Sequence, residues 1–293
     1  MKLWLVLTTA LLAVSAAGTL VRLAPDAHAL TLAFGRVLLA SLLLAPFSVR
    51  GFVRPAPRDL ALMAAAGTLL ALHFWSWFSS LAATSVLRST VLVCTTPVWV
   101  GLLEAVLLRR PPPRRYWPGI ALALVGIVGL ATSARPEGGS LRGDALALLG
   151  SWLGAGYFVI GSVVRPRVAI GVYGPAVCLS AAAALLVLAV AQGVPLWSSD
   201  RVTLGVIVAM ALGPQILGHI GFNWAMRYVP ASVIATVILL EPLGAAIVAA
   251  LTLGEMPTPR DGAWALVLFA GVGMAVWPAP RSPTTSPPTA STQ

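Results

Sequence analysis

Glu241 is the residue best placed to do chemistry, because it lies near the centre of a 23-residue apolar run from Ala231 to Leu253. A carboxylate at that depth in a lipid-length helix is costly unless it faces a cavity or a partner. There it can exchange a proton against a substrate cation or amine, or serve structurally by pairing with a buried arginine or a backbone amide. Pro242 beside it frees a backbone carbonyl near Ile238, and the small Gly244, Ala245 and Ala246 leave room for a hinge or a cavity. Arg36, about eight residues into its own apolar run, wants a partner, as a ligand or gate residue or as half of a structural pair. His73 and His219 suit proton relay or neutral hydrogen bonding between helices. Trp75, Trp77 and Phe78 surround the first, and Asn223 and Trp224 the second; each group reads as packing or as the wall of a cavity. Gly213-Pro214-Gln215 interrupts another run, and we expect an unwound turn there that sets an amide at mid-membrane depth. The candidate binding or coupling residues are therefore Glu241, Arg36, His73, Trp77, Gln215, His219 and Asn223, with hinges at Pro97, Pro214 and Pro242.

These side chains need ten elements to carry them. Apolar runs occur at Leu3–Leu20, Ala29–Ser48, Leu60–Ala82, Val86–Leu108, Tyr116–Thr132, Ala145–Val164, Ile170–Ala191, Val202–Trp224, Ala231–Leu253 and Gly262–Trp277. They are continuously apolar and do not alternate, which predicts helices and excludes a strand barrel. An echo at a spacing of 145 places Pro242 on Pro97, Ala250 on Ala105, Leu253 on Leu108, Pro257 on Pro112, Arg260 on Arg115 and Gly271 on Gly126. It predicts a duplication, with residues 1–133 and 144–277 as five-helix repeats. Five crossings is an odd number, so the repeats must be inverted, a plan that sets a substrate site between the halves. Residues 278–293 are rich in Pro, Ser and Thr and are expected to form a disordered cytoplasmic tail. Glycines at 150, 154, 218 and 221 predict faces of close helix packing.

Composition fixes the solvent. The chain is 58% apolar and 10% charged, with a mean hydropathy of +0.91, so lipid must surround it. Its net charge of +10 does not form a patch suited to nucleic acid, because the arginines sit in short loops between apolar runs. With the N-terminus inside, the loops on that side carry twelve Lys and Arg against five outside, which predicts both termini in the cytoplasm. Arg88 is expected to snorkel, and Glu104 to reach the basic loop from Arg109 to Arg115. The first run could open a secretory signal peptide, but the second half begins with a comparable run, and retention is expected. Cys94 and Cys178 read as small packing residues. No GxSxG, HExxH, P-loop or metal-spaced Cys/His cluster is present, and we expect neither enzyme activity nor a cofactor nor a metal.

Ala231-Ser232, Leu240-Glu241-Pro242, Gly254-Glu255 and Gly271 to Gly273 together resemble the EamA-type family of the drug/metabolite transporter superfamily. The first repeat is similar at Thr84-Ser85, Thr96-Pro97 and Gly126 to Gly129, and Arg36 resembles the family's second-helix arginine. Arg109-Arg110 replaces the Gly-Glu usual in the first repeat, and the first span lacks the embedded glutamate of the related small multidrug resistance proteins. The resemblance implies an all-α integral membrane fold of ten transmembrane helices in two inverted five-helix repeats, in a bacterial inner membrane. The expected function is secondary transport, by alternating access of rocking halves, of small metabolites: amino acids, related compounds or drugs. Efflux is the expected direction and protons a candidate partner. The alternative is a non-transporting scaffold or an intramembrane enzyme.

Overall fold

The computed structural model describes residues 1–48, 54–84, 86–132, 140–253 and 258–277, and every regular element among them is helical. In chain order the helices are α1 (Lys2–Arg22), α2 (Ala29–Ser48), α3 (Pro57–Ala83), α4 (Val86–Val93 with Thr96–Val106), α5 (Tyr116–Thr132), α6 (Leu141–Val164), α7 (Ile170–Gln192), α8 (Arg201–Ala225), α9 (Ala231–Ile238 with Glu241–Leu253) and α10 (Pro259–Val276). Eight are apolar and long enough to cross a membrane. The other two are α5, with 17 residues, and α10, which opens on Pro259, Arg260 and Asp261; they pack against each other. The expected tail at 278–293 and the turn Gly254-Glu255-Met256-Pro257 lie outside the described residues.

Local chemistry sets the ends. The Asp200 carboxylate accepts from the backbone N–H of Val202 and of Thr203, capping α8. Hydrogen bonds from the Thr203 side chain and backbone hold this carboxylate below its usual range. Ser140 caps α6, Thr258 and Asp261 form a reciprocal box at the start of α10, and Gly193, with φ of 64°, closes α7.

Two helices break at matching positions. In α4 the interruption falls at Cys94-Thr95, and in α9 at Leu239-Leu240, 145 residues later. Each new segment opens with a proline at its second residue, Pro97 or Pro242, because proline has no N–H to give to the preceding turn. The third proline acts differently, and here the sequence expectation needs correction. The chain does not unwind at Gly213-Pro214-Gln215; Ala211–Ile220 is a π-helical segment inside a continuous α8. Widening the turn relieves the clash of the Pro214 ring with the preceding turn while keeping the other backbone groups bonded.

The halves interdigitate. The closest pairs, α3 with α6, α5 with α10 and α2 with α7, each join one half to the other. The pairs also come in related sets: α3 on α6 and α8 on α1, α4 on α6 and α9 on α1, α3 on α7 and α8 on α2. Small residues permit the approach. A Cβ on Gly126 of α5 would lie 2.6 Å from the Leu268 backbone nitrogen of α10, and one on Gly154 of α6 would lie 3.0 Å from His73 Nδ1 of α3. Gly150, Gly218 and Gly221 likewise face neighbouring helices. The buried apolar residues form one large cluster, dominated by α1–α3 and α6–α8 but reaching Val100 of α4 and Ala231, Ile234 and Ala235 of α9, a second drawn from α4, α5, α9 and α10, and a small third of Ala40, Cys178 and Ile220. Outward residues such as Leu251, Leu266 and Val190 stay exposed, as a lipid-facing surface requires.

Candidate functional site

Where α1, α2, α3, α4, α6, α8 and α9 converge they leave a cavity of about 60 Å³. Five of the seven residues named as binding or coupling candidates line it: Arg36, His73 and Trp77 from the first half, His219 and Glu241 from the second. Both helix breaks open onto it. Thr96 and Glu241, each the first residue after a break and 145 positions apart, stand in its wall, as do Pro97 and Pro214.

Arg36 has no exposed surface. Its Nε donates to Gln215 Oε1 at 3.1 Å, and its guanidinium carbon lies 4.1 Å from the centre of the Phe74 ring, a cation–π contact. Nη1 and Nη2 find no hydrogen-bond partner among the described residues. Arg36 and Glu241 are near enough for their charges to attract, yet no ion pair within 4.0 Å joins them in the described structure.

Phe74 organises the ring cluster. The ring centres of His73 and His219 each lie 5.2 Å from that of Phe74, and His219 stacks on Phe158 at 6.3 Å. His73 Nδ1 donates to the Gly150 carbonyl at 2.7 Å, as it must, because a carbonyl only accepts. Trp77 stacks on His73 at 6.2 Å. The tryptophan and both histidines thus belong to one aromatic wall.

Two candidates stand behind the wall rather than in it. Gln215 is fully buried, bonded to Arg36 and, through Nε2 at 3.5 Å, to Cys178 Sγ. The widened turn of α8 carries it. Asn223, also fully buried, donates to the His219 carbonyl at 2.6 Å and to the Tyr157 hydroxyl, which ties α8 to α6. Pro242 follows Glu241 and is not part of the lining. Sequence reasoning missed Phe74, Phe158 and Cys94 as site residues. Only Cys94 carried a signal, since it falls on Leu239 in the 145-residue register; nothing in the sequence singles out one phenylalanine among eight.

Polar clasps close the two ends. At one end Asp144 of α6 pairs with Arg88 of α4 and accepts from Thr84 Oγ1 at 3.0 Å, so Arg88 is engaged with protein as well as reaching outward. At the other, Arg167 pairs with Asp59 at 2.5 Å, and buried Arg165 donates to the backbone carbonyls of Asn223 and Val168. Burial pushes the Arg165 pKa down to about 10, which still leaves it charged at neutral pH. Glu104 reaches the basic loop, where the Arg110 N–H donates to its backbone carbonyl at 3.0 Å, and its carboxylate accepts from the Ser232 N–H at 3.3 Å and caps α9.

An all-helical chain with a lipid-facing exterior, whose two related halves close on a cavity between broken helices, is a multi-pass membrane protein with an internal compartment. The model of the EamA-like transporter family matches it twice, over residues 1–132 and 141–277, and the chain belongs to that family of membrane transporters. It is 27% identical over 279 residues to the "Uncharacterized transporter YwfM" of Bacillus subtilis (strain 168), covering 92% of this chain and 91% of that protein. Its fold is also similar to a solved structure described as "Crystal structure of protein", with a TM-score of 0.77 over 94% of this chain and 96% of the other. That pair is 16% identical, a likeness of fold alone.

Proposed function

We propose that the protein is a secondary transporter that carries small metabolites through the central cavity by alternating access, in the direction of efflux, in a bacterial inner membrane. The observation that carries this reading is the cavity itself: a compartment walled by both repeats, with Arg36 contributed by one and Glu241 by the other. Counting α5 and α10 as spans makes ten crossings in two inverted five-helix repeats with both termini in the cytoplasm. The related sets of helix pairs favour this arrangement, since an inverted duplication repeats each contact in the opposite sense.

The moving units in this reading differ from the sequence halves. Interdigitated helices cannot rock as two five-helix bodies without breaking their closest contacts. The α5–α10 pair, with the stretches of α4 and α9 that pack on it, can tilt against the rest by bending at Cys94-Thr95 and Leu239-Leu240, with Pro97 and Pro242 marking the hinges. Glu241, beside one hinge and in the cavity wall, is the coupling residue for protons.

Reconstitution into proteoliposomes tests both levels. Pre-loaded metabolite pools should exchange by counterflow, which needs no driving ion. An imposed pH gradient should drive accumulation in the wild type, and Glu241→Gln should lose at least ten-fold of the driven rate while retaining counterflow. Driven transport at the wild-type rate in Glu241→Gln removes the coupling role; absence of counterflow with any pool removes the transporter reading.

A further inference from the structure

The loop that joins α4 to α5 contains Arg109-Arg110-Pro111-Pro112-Pro113-Arg114-Arg115, four guanidiniums in seven residues with no acidic residue between them. None of the four side chains has a hydrogen bond or an ion pair among the described residues. Arg109, Arg110 and Arg114 are exposed, and Arg115 is half-buried, with an Nε that is shut off from solvent and has no partner.

The backbone holds this cluster in a fixed shape and keeps one member under strain. Arg109 has φ of 53° and is the one non-glycine residue with positive φ among the described residues. That left-handed region suits glycine and strains a residue with a Cβ, so an arginine kept there points to a use for its side chain. The N–H of Arg110 donates to the Glu104 carbonyl at 3.0 Å, which ties the turn to the end of α4. Three prolines then fix φ between the two arginine pairs. At the far end the Tyr116 N–H donates to the Pro113 carbonyl at 2.8 Å and its hydroxyl to the Pro97 carbonyl at 2.7 Å.

The surroundings define the partner. α4 is apolar and long enough to cross a membrane and α5 is a shorter apolar helix, so the loop between them lies where the bilayer meets water. Val106, Leu107 and Trp117 flank the arginines and expose apolar surface, and tryptophan favours the level of the lipid head groups. A ligand matched to both features has a phosphate for the guanidiniums and an apolar tail for the strip beside them. A soluble phosphate would use the charges and leave the strip bare.

We propose that the α4–α5 loop is a binding site for anionic phospholipid, with the phosphodiester held by Arg109-Arg110 and Arg114-Arg115 and the acyl chains laid along Val106, Leu107 and Trp117. The site lies apart from the central cavity and does not depend on what the cavity carries.

The full chain in neutral detergent micelles tests this by melting against phosphatidylglycerol, phosphatidylcholine with the same acyl chains, and soluble glycerol 3-phosphate. Saturating phosphatidylglycerol should raise the melting temperature by about 2–4 °C, the scale of a ligand that binds the folded state alone, and the other two should not. Arg109→Gly is the sharpest variant, because glycine keeps the turn. Without lipid it should melt at or above the wild type. The phosphatidylglycerol mole fraction that gives half of the shift should rise about five-fold, the share of one arginine near an anionic surface. Arg114→Gln with Arg115→Gln should raise it further. Arg22→Gln with Arg201→Gln, which removes the same charge from other exposed positions, should leave it at the wild-type value. An equal shift with phosphatidylcholine, an equal loss in the Arg22 and Arg201 double variant, or lower melting of lipid-free Arg109→Gly overturns the proposal. A shift of the same size with glycerol 3-phosphate assigns the loop to soluble phosphates and overturns the lipid. Melting is read without transport, so failure here leaves the transporter reading standing.

Discussion

Arg36 and Gln215 are best considered as one unit. A charged side chain with no exposed surface is tolerated because the amide behind it takes one N–H and an aromatic face takes the cation. Gln215→Leu removes the acceptor and leaves Nε bare, which should cost about 1.5–3 kcal/mol, the scale of a hydrogen bond to a charged group. Thermal unfolding in mild detergent should show the loss. Gln215→Glu is expected to be more stable than Gln215→Leu, because a carboxylate at the same place pairs with the guanidinium; equal melting of the two variants would show that Arg36 does not depend on this contact. Arg36 was legible in the sequence as a charge too deep to be idle. Its partner was legible only as an amide near a proline, since α2 and α8 are 179 residues apart at this contact.

At the scale of elements, α5 and α10 depend on small residues at their crossing. Gly271 faces the Ala123 backbone so closely that a Cβ has no space, whereas Gly273, two residues on, has nothing within 4 Å. Gly271→Ala should therefore destabilise the protein by about 1–3 kcal/mol, the usual cost of overpacking. Gly273→Ala should be neutral or stabilising, since it removes backbone freedom from the unfolded chain at no steric cost. Melting temperatures of the two variants, measured side by side, check the crossing; similar values would mean that the helices meet on another face. The positions of both glycines could be read from the sequence, but their opposite sensitivity could not, because it depends on which side of α10 meets α5.

For the whole molecule, the tightest packing lies between the halves. Splitting the chain within residues 133–139 should yield two fragments that are unstable alone and co-purify when expressed together, because α3 needs α6 and α5 needs α10 to bury their small-residue faces. Size-exclusion chromatography of the co-expressed fragments reads the outcome. A first half that is monodisperse by itself would contradict an interdigitated fold and favour two independent five-helix bundles.

The sequence by itself determined the solvent, the helices and the duplication. Hydropathy runs of lipid length leave the backbone no other way to satisfy its hydrogen bonds, and the 145-residue echo lies in the order of residues alone. It also singled out Glu241, Arg36 and the two histidines, because ionisable groups in such runs are rare enough to stand out. Only the tertiary structure decided which of them share a cavity, that Gln215 and Asn223 support the wall from behind, and that Pro214 widens a turn where unwinding was expected. The physical reason is rotation about the helix axis. Periodicity places a residue at a depth, but the side it faces is set by packing against helices far away in the chain, and nearly every residue in these runs is apolar enough to face either way.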